Sequence, residues 1–294
     1  MADLTGVAEL APAATAVEVE GPARRRQRPI FVILAAAVLA IVVVLAAIGP
    51  QLAPHDPSAQ NVLLGTSGPS AAHPLGTDDL GRDILSRVFA GARSAVVGPL
   101  LIALGAAVLS ATFGLAAGFR GRRTDSVIMR LTDVGLALPP FLVILVVAGI
   151  FNGGYLLAVA LLIALFAPWD TRIVRGATLE QAPRPYVEAT TVLGLSQRRT
   201  MWLHILPNIL PLIVVTACLD FAGGLVALSG LSFLGIGVSP GAADWGRMLA
   251  DNEPLIFSNP AAAIAPGVAI VLTAAAVSVV GDWAYERLSG RQGR

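Results

Sequence analysis

Few side chains in this sequence have the types and spacing to do chemistry. Asp220 is an acid within an apolar run from Ile209 to about Val238. An ionised carboxylate at the centre of a lone membrane helix costs about 2.5–3.5 kcal/mol on insertion scales, so Asp220 is expected to face a bundle interior or a water-filled path. Three readings stand: a contact on a translocation path, with Ser229 and Ser232 further along the same run; a proton relay; or a paired structural carboxylate. The relay is disfavoured because no second intramembrane acid or histidine accompanies it. His55, His73 and His204 fall in segments assigned to opposite sides of the membrane, so no metal site is expected from them. Asp78, Asp79 and Asp83 are explained by helix capping and surface charge. With no nucleophile–base pair and no metal cluster, no catalytic residue is expected, and the chain reads as non-enzymatic. Cys218 is the one cysteine, so no intrachain disulfide forms.

A missing residue type sharpens this. All 20 basic residues are Arg and there is no Lys. A phosphate-binding loop of the form GxxxxGK[ST] needs a Lys to reach the β and γ phosphates, so this chain cannot bind ATP in that way. No cofactor is expected on it; ATP and Mg would have to sit on another polypeptide.

The elements that position these residues are membrane helices. Of 294 residues, 55% are hydrophobic and 13% charged, and the mean hydropathy is +0.75, too apolar for a soluble domain of this size. A net charge of +1 argues against nucleic acid as a partner. Residues 1–29 read as a disordered cytoplasmic tail ending in Arg24, Arg25, Arg26 and Arg28, and residues 30–50 as a first span ended by Gly49-Pro50. An extracytoplasmic segment, 51–92, contains a helix capped by Thr77–Asp78–Asp79, with Leu80, Ile84, Leu85, Val88 and Phe89 on one face. A core of five spans covers 93–285. Its first runs from Ser94 to Phe119, with Ser110, Gly114 and Gly118 spaced for close helix contact. The charge-free stretch Val134–Trp169 is too long for one crossing, so spans are placed near 127–151 and 155–171 with a turn at Asn152-Gly153-Gly154. The last two spans are Ile209 to about Val238 and Ala261 to Val280, and 286–294 is a tail. Six spans put both termini inside, and 16 of the 20 Arg residues then lie on the cytoplasmic side; the exceptions are Arg82, Arg87, Arg93 and Arg247.

The long polar interruption is the loop 172–206. Tyr186–Leu193 and Gln197–Leu203 each suit a short helix, with Gly194 between them and Pro207 at entry to the fifth span. Such an element is a poor catalytic site and a good lever for a partner; alternatively Arg198 and Arg199 merely hold lipid phosphates.

Glu188-Ala189-Thr190, Gly194 and His204-Ile205-Leu206-Pro207 resemble the EAA loop of binding-protein-dependent ABC importer permeases, and YVEATTVLGLSQRRTMWLHILPN is similar to its dipeptide/oligopeptide form. His73–Ser94 and Leu231–Leu249 are similar to that family's N- and C-terminal signatures, and Leu131–Pro140 adds a shorter match. Thr190 stands at the third position of the triplet, and Leu228 where relatives often carry Glu. The resemblance covers roughly residues 30–285. It implies an all-α polytopic membrane protein with six transmembrane helices, like a type I ABC importer permease, in a bacterial inner membrane. It also implies a homologous second permease subunit, two cytoplasmic ATPase subunits, an external substrate-binding protein, contact with membrane lipid and a peptide substrate. Look-alike systems carry nickel, glutathione or haem. The coupling residues it implies are Glu188, Ala189, Thr190, Gly194, Leu195, Arg198, Arg199, His204 and Pro207. The rival reading is an ion- or proton-coupled secondary transporter using Asp220. Leu288–Gln292 (LSGRQ) is similar to the ATPase signature LSGGQ but, without a P-loop Lys, is read as coincidence.

Overall fold

The computed structural model describes residues 29–151 and 154–290. The tail 1–28 with its four Arg residues, the Asn152-Gly153 part of the expected turn, and 291–294 with the end of the LSGRQ stretch lie outside the described residues. Among the described residues the chain is all-α, with a single isolated bridge between Thr77 and Asp83. Five helices among the described residues are long and apolar enough to cross a membrane, or six if one bent pair counts as a span.

Helix α1 (Pro29–Leu52) kinks at Ile48, one turn short of its end, where Pro50 removes a backbone donor. Helix α2 (Ile84–Arg120) has 37 residues. It joins what the sequence suggested as an interfacial helix and a separate span at Ser94. The cap is also not the Thr77–Asp78–Asp79 group: Asp83 accepts from the backbone N–H and the hydroxyl of Ser86 at 2.8 and 2.6 Å.

The expected straight span 127–151 is broken. Helices α3 (Arg122–Ala137) and α4 (Pro140–Phe151) meet at 79°. The cause is Leu138-Pro139-Pro140: Leu138, before a proline, is extended (φ −93°, ψ 133°), and Pro139 cannot donate into the turn.

Helix α5 (Gly154–Gln181) continues well past residue 171, so Arg172 and Arg175 belong to a helix and not to the loop 172–206. Both are paired with α3, Arg172 to Asp133 and Arg175 through two bonds to Asp125. After α6 (Pro185–Val192), α7 (Gln197–Thr200) runs through a π-turn at Met201–Ile205 into α8 (Leu206–Phe233) without a break. Pro207 stands at the first turn of α8, as expected, although the helix axis runs on from α7 through the π-turn. Helices α9 (Trp245–Asn252) and α10 (Pro260–Ser289) complete the chain.

Helix α2 is the centre of the bundle, packed on α1, α5 and α8. Gly114 and Gly118 let α5 approach closely: a Cβ there would stand 2.7 Å from Val174 and 2.6 Å from Thr178 side-chain atoms. At the end opposite the α6–α7 loop, α2 and the connection before it are fastened to α9 and to the residues that flank it. Trp245 donates its indole N–H to Val88 O (2.8 Å), Ser94 donates to Asp244 (2.7 Å), and the Asn259 side chain donates to the carbonyls of Ser67, Leu75 and Thr77. Helix α9 also presses on α8, because a Cβ at Gly246 would lie 2.2 Å from Ser229 O. Gly246→Val is expected to destabilise the purified protein by about 1–3 kcal/mol, read as a lower midpoint of thermal unfolding in detergent.

Candidate functional site

The loop between α5 and α8 has a fixed base and an open tip. Val187, Met201, Ile205 and Ile209 are buried against Ala111, Leu115 and Val174 of α2 and α5. This seats the loop on the two helices that carry the core. Thr190, the departure from the EAA triplet, is buried and locks the loop's two arms: its hydroxyl bonds Val187 O at 2.7 Å and lies 3.1 Å from the Thr200 hydroxyl. An alanine could not make that bond.

The turn follows from Gly194. Its φ of +70° is the left-handed conformation that costs a side-chain-bearing residue about 1–2 kcal/mol. Leu195 N–H bonds Thr190 O and Gly194 N–H bonds Thr191 O, a paired closure that ends α6 and reverses the chain. Ser196 then caps α7 by accepting from Arg199 N–H. Glu188, Ala189, Arg198 and Arg199 are exposed, as are Val192 (87%) and Leu193 (77%) at the tip. His204 and Leu195 are half-buried and Pro207 exposed. The coupling residues taken from the sequence are thus brought together on one element, although Thr190 faces inward. The apolar tip, Val192 and Leu193, was missed; two adjacent hydrophobic residues ending a helix in a polar loop were the available signal.

The intramembrane acid is not alone, which corrects the sequence reading. The carboxyl of Asp170 on α5 lies beside that of Asp220 on α8. Oδ2 of each is buried without a hydrogen-bond partner among the described residues. Asp170 immediately follows the charge-free stretch that ends at Trp169 and falls at the end of the expected span 155–171, where no acid was singled out. Ser229, half-buried where α9 presses on α8, and buried Ser232 lie about 13 and 18 Å beyond Asp220 along α8, so neither joins it in one site. Leu228 packs among Ile102, Ile144 and Leu162, an apolar setting that gives an acid no partner.

Three of the four exceptional arginines have structural uses. Arg82 and Arg87 are buried with Asp78, at 2.6 Å and 3.8 Å, and Arg87 donates to the carbonyls of Gly241 and Ala242. Arg247 pairs with Asp251 and Arg93 is exposed. The histidines are not all scattered, a second correction: His55 and His73 meet at Asp83, while His204 lies at the other end of the bundle. Burial raises the Asp83 carboxyl, and the bonds from Ser86 and His73 more than offset this, leaving it below its ordinary value. Asp79 is exposed.

The chain is similar to several peptide permeases. It is 30% identical to the probable D,D-dipeptide transport system permease protein DdpC of Escherichia coli (strain K12), over 89% of this chain and 88% of that protein. It is 36% identical to the di/tripeptide transport system permease protein DppC of Pseudomonas aeruginosa (strain UCBPP-PA14), over 82% of each. With the dipeptide transport system permease protein DppC of Alkalihalophilus pseudofirmus the identity is 32%, over 82% of this chain and 79% of that one. Residues 110–294, which include the loop, the Asp170–Asp220 pair and the segment before α9, match one family throughout. This multi-pass membrane protein therefore belongs to the family of binding-protein-dependent transport system inner membrane components.

Proposed function

We propose that this chain is one permease subunit of an ATP-binding-cassette importer that passes peptides across a bacterial inner membrane, with both termini cytoplasmic. A homologous second permease completes the pathway, two cytoplasmic ATPase subunits dock on the α6–α7 loops, and an external substrate-binding protein delivers cargo. The observation that carries this reading is the loop itself, seated by Val187, Met201 and Ile205 on α2 and α5 while Val192, Leu193, Glu188 and the two arginines stand free. A push on the tip is transmitted to the two central helices because the base is packed and hydrogen-bonded. ATP closure of the motor would then shift the bundle between inward- and outward-facing states. The peptide cargo is supported by the names of the relatives. ATP and Mg would be held by the motor, since this chain has no Lys for a P-loop.

Vesicles holding the assembled complex test the proposal. Uptake is expected to stop when ATP is withheld and to ignore a collapsed proton gradient. Uptake that follows the gradient without ATP would instead make the Asp170–Asp220 pair a coupling site and overturn the importer reading. In the same vesicles Gly194→Trp, whose side chain meets open space but whose backbone is strained at φ +70°, is expected to insert normally and to lose stimulation of the ATPase by loaded binding protein.

A further inference from the structure

Two imidazoles and a carboxylate converge at the end of the bundle opposite the α6–α7 loop. His55 follows α1, His73 lies in the connection to α2, and Asp83 caps α2. From Asp83 Oδ1 the Nδ1 of His73 is 2.8 Å away and that of His55 3.9 Å. The rings are 4.6 Å apart between centroids, tilted by 32°, and one donor atom from each residue fits within a 4.8 Å set.

Those spacings suit a small cation. A tetrahedral zinc ion with bonds of about 2.0–2.1 Å holds its ligand atoms about 3.3 Å apart, a value that the two distances to Asp83 bracket. The supports are already in place. Asp83 spends Oδ2 on the Ser86 N–H and hydroxyl, which orients the carboxylate and leaves Oδ1 for the cation. The backbone N–H of His55 donates to that same Ser86 hydroxyl at 3.0 Å, and the backbone N–H of His73 donates to Ser70. The His55 side chain is 42% exposed and gives an ion a way in, with room for water as a fourth ligand. Asp56, the next acid, is occupied by Ser58. A bare His73–Asp83 hydrogen bond explains one imidazole; it leaves unexplained why the second aims its Nδ1 at the same oxygen. Two nitrogens and one oxygen select a borderline transition cation over Mg or Ca.

We propose that His55, His73 and Asp83 form a zinc-type cation site that clips the connection after α1 to the start of α2. The measurement uses the full chain in detergent, purified through a tag without histidine, since His204 is the only other histidine in the sequence. Zinc is titrated against a chromophoric chelator, and bound metal is counted after dialysis. One equivalent is expected on the unaltered protein, His55→Gln and His73→Gln are each expected to weaken it about tenfold or more, and His204→Gln is expected to leave it unchanged. Circular dichroism checks that the variants remain helical; the exposed His55 is the variant least able to perturb the fold. The proposal fails if the unaltered protein retains no stoichiometric zinc, if His55→Gln and His73→Gln bind as tightly, or if the metal is lost with His204→Gln.

Discussion

Asp78→Asn is expected to cost the folded protein about 3–5 kcal/mol, the largest single effect among the polar substitutions. Asp78 is 0% exposed and answers two buried cations, Arg82 (3%) and Arg87 (1%). Removing its charge takes away the nearest anion from both in a dry setting, leaving Arg87 only the more distant Asp79 and Asp251, which is far more costly than the net worth of the intact group. Arg87→Met belongs to the same group of effects, because it also frees the carbonyls of Gly241 and Ala242 that hold the segment before α9. Asp79→Asn is the control: Asp79 is exposed, and a change within about 0.5 kcal/mol is expected. The readout is the fraction of detergent-solubilised protein that stays monodisperse after a temperature series. If Asp78→Asn and Asp79→Asn behave alike, the buried triad does not hold the two signatures together.

Leu193→Asp is expected to leave insertion and thermal stability unchanged while reducing binding-protein-stimulated ATP hydrolysis by about tenfold or more, which corresponds to about 1.4 kcal/mol of lost docking energy. The side chain is 77% exposed and belongs to no core cluster among the described residues, so little stability is expected to depend on it. An apolar tip between Glu188 and the Arg198–Arg199 pair has the composition of an interface centre with a charged rim. A carboxylate placed there must be desolvated on docking, whereas Leu193→Ala removes only contact area and is expected to lose less. Unchanged coupling in Leu193→Asp, with the complex still assembled, would move the docking face elsewhere on the loop.

The places where sequence reading succeeded and failed have a common cause. Helix α6 was legible nearly to the residue, since Pro185 starts it and Gly194 follows its end. Apolar run length likewise marked α1 and the start of α10, but α10 continues past the expected end at Val280 to Ser289, into the stretch read as a tail, because polar residues can extend a helix beyond its apolar run. The break at Leu138-Pro139-Pro140 was written in the sequence too, but run length alone read through it. Asp170 is different: its identity shows a charge at the end of an apolar run, and only the continuation of α5 to Gln181 turns it into an interior residue that meets Asp220.

The amino-acid sequence by itself determined that this is a membrane protein, that it lacks the Lys an ATP-binding loop requires, and that a Gly-hinged polar element separates its later spans. These are properties of composition, of run length against bilayer thickness and of one residue's backbone freedom, and each is local. Pairing was decided only by the tertiary structure. Arg87 bonds Ala242 across a separation of 155 residues, Asp170 finds Asp220 on another helix, and His55 and His73 close on Asp83. Side-chain partners across a bundle depend on helix rotation and crossing, which no spacing along one chain encodes. The tertiary structure therefore turned three sets of polar residues that are far apart in sequence into an outer clamp, a pair of intramembrane acids and a candidate cation site.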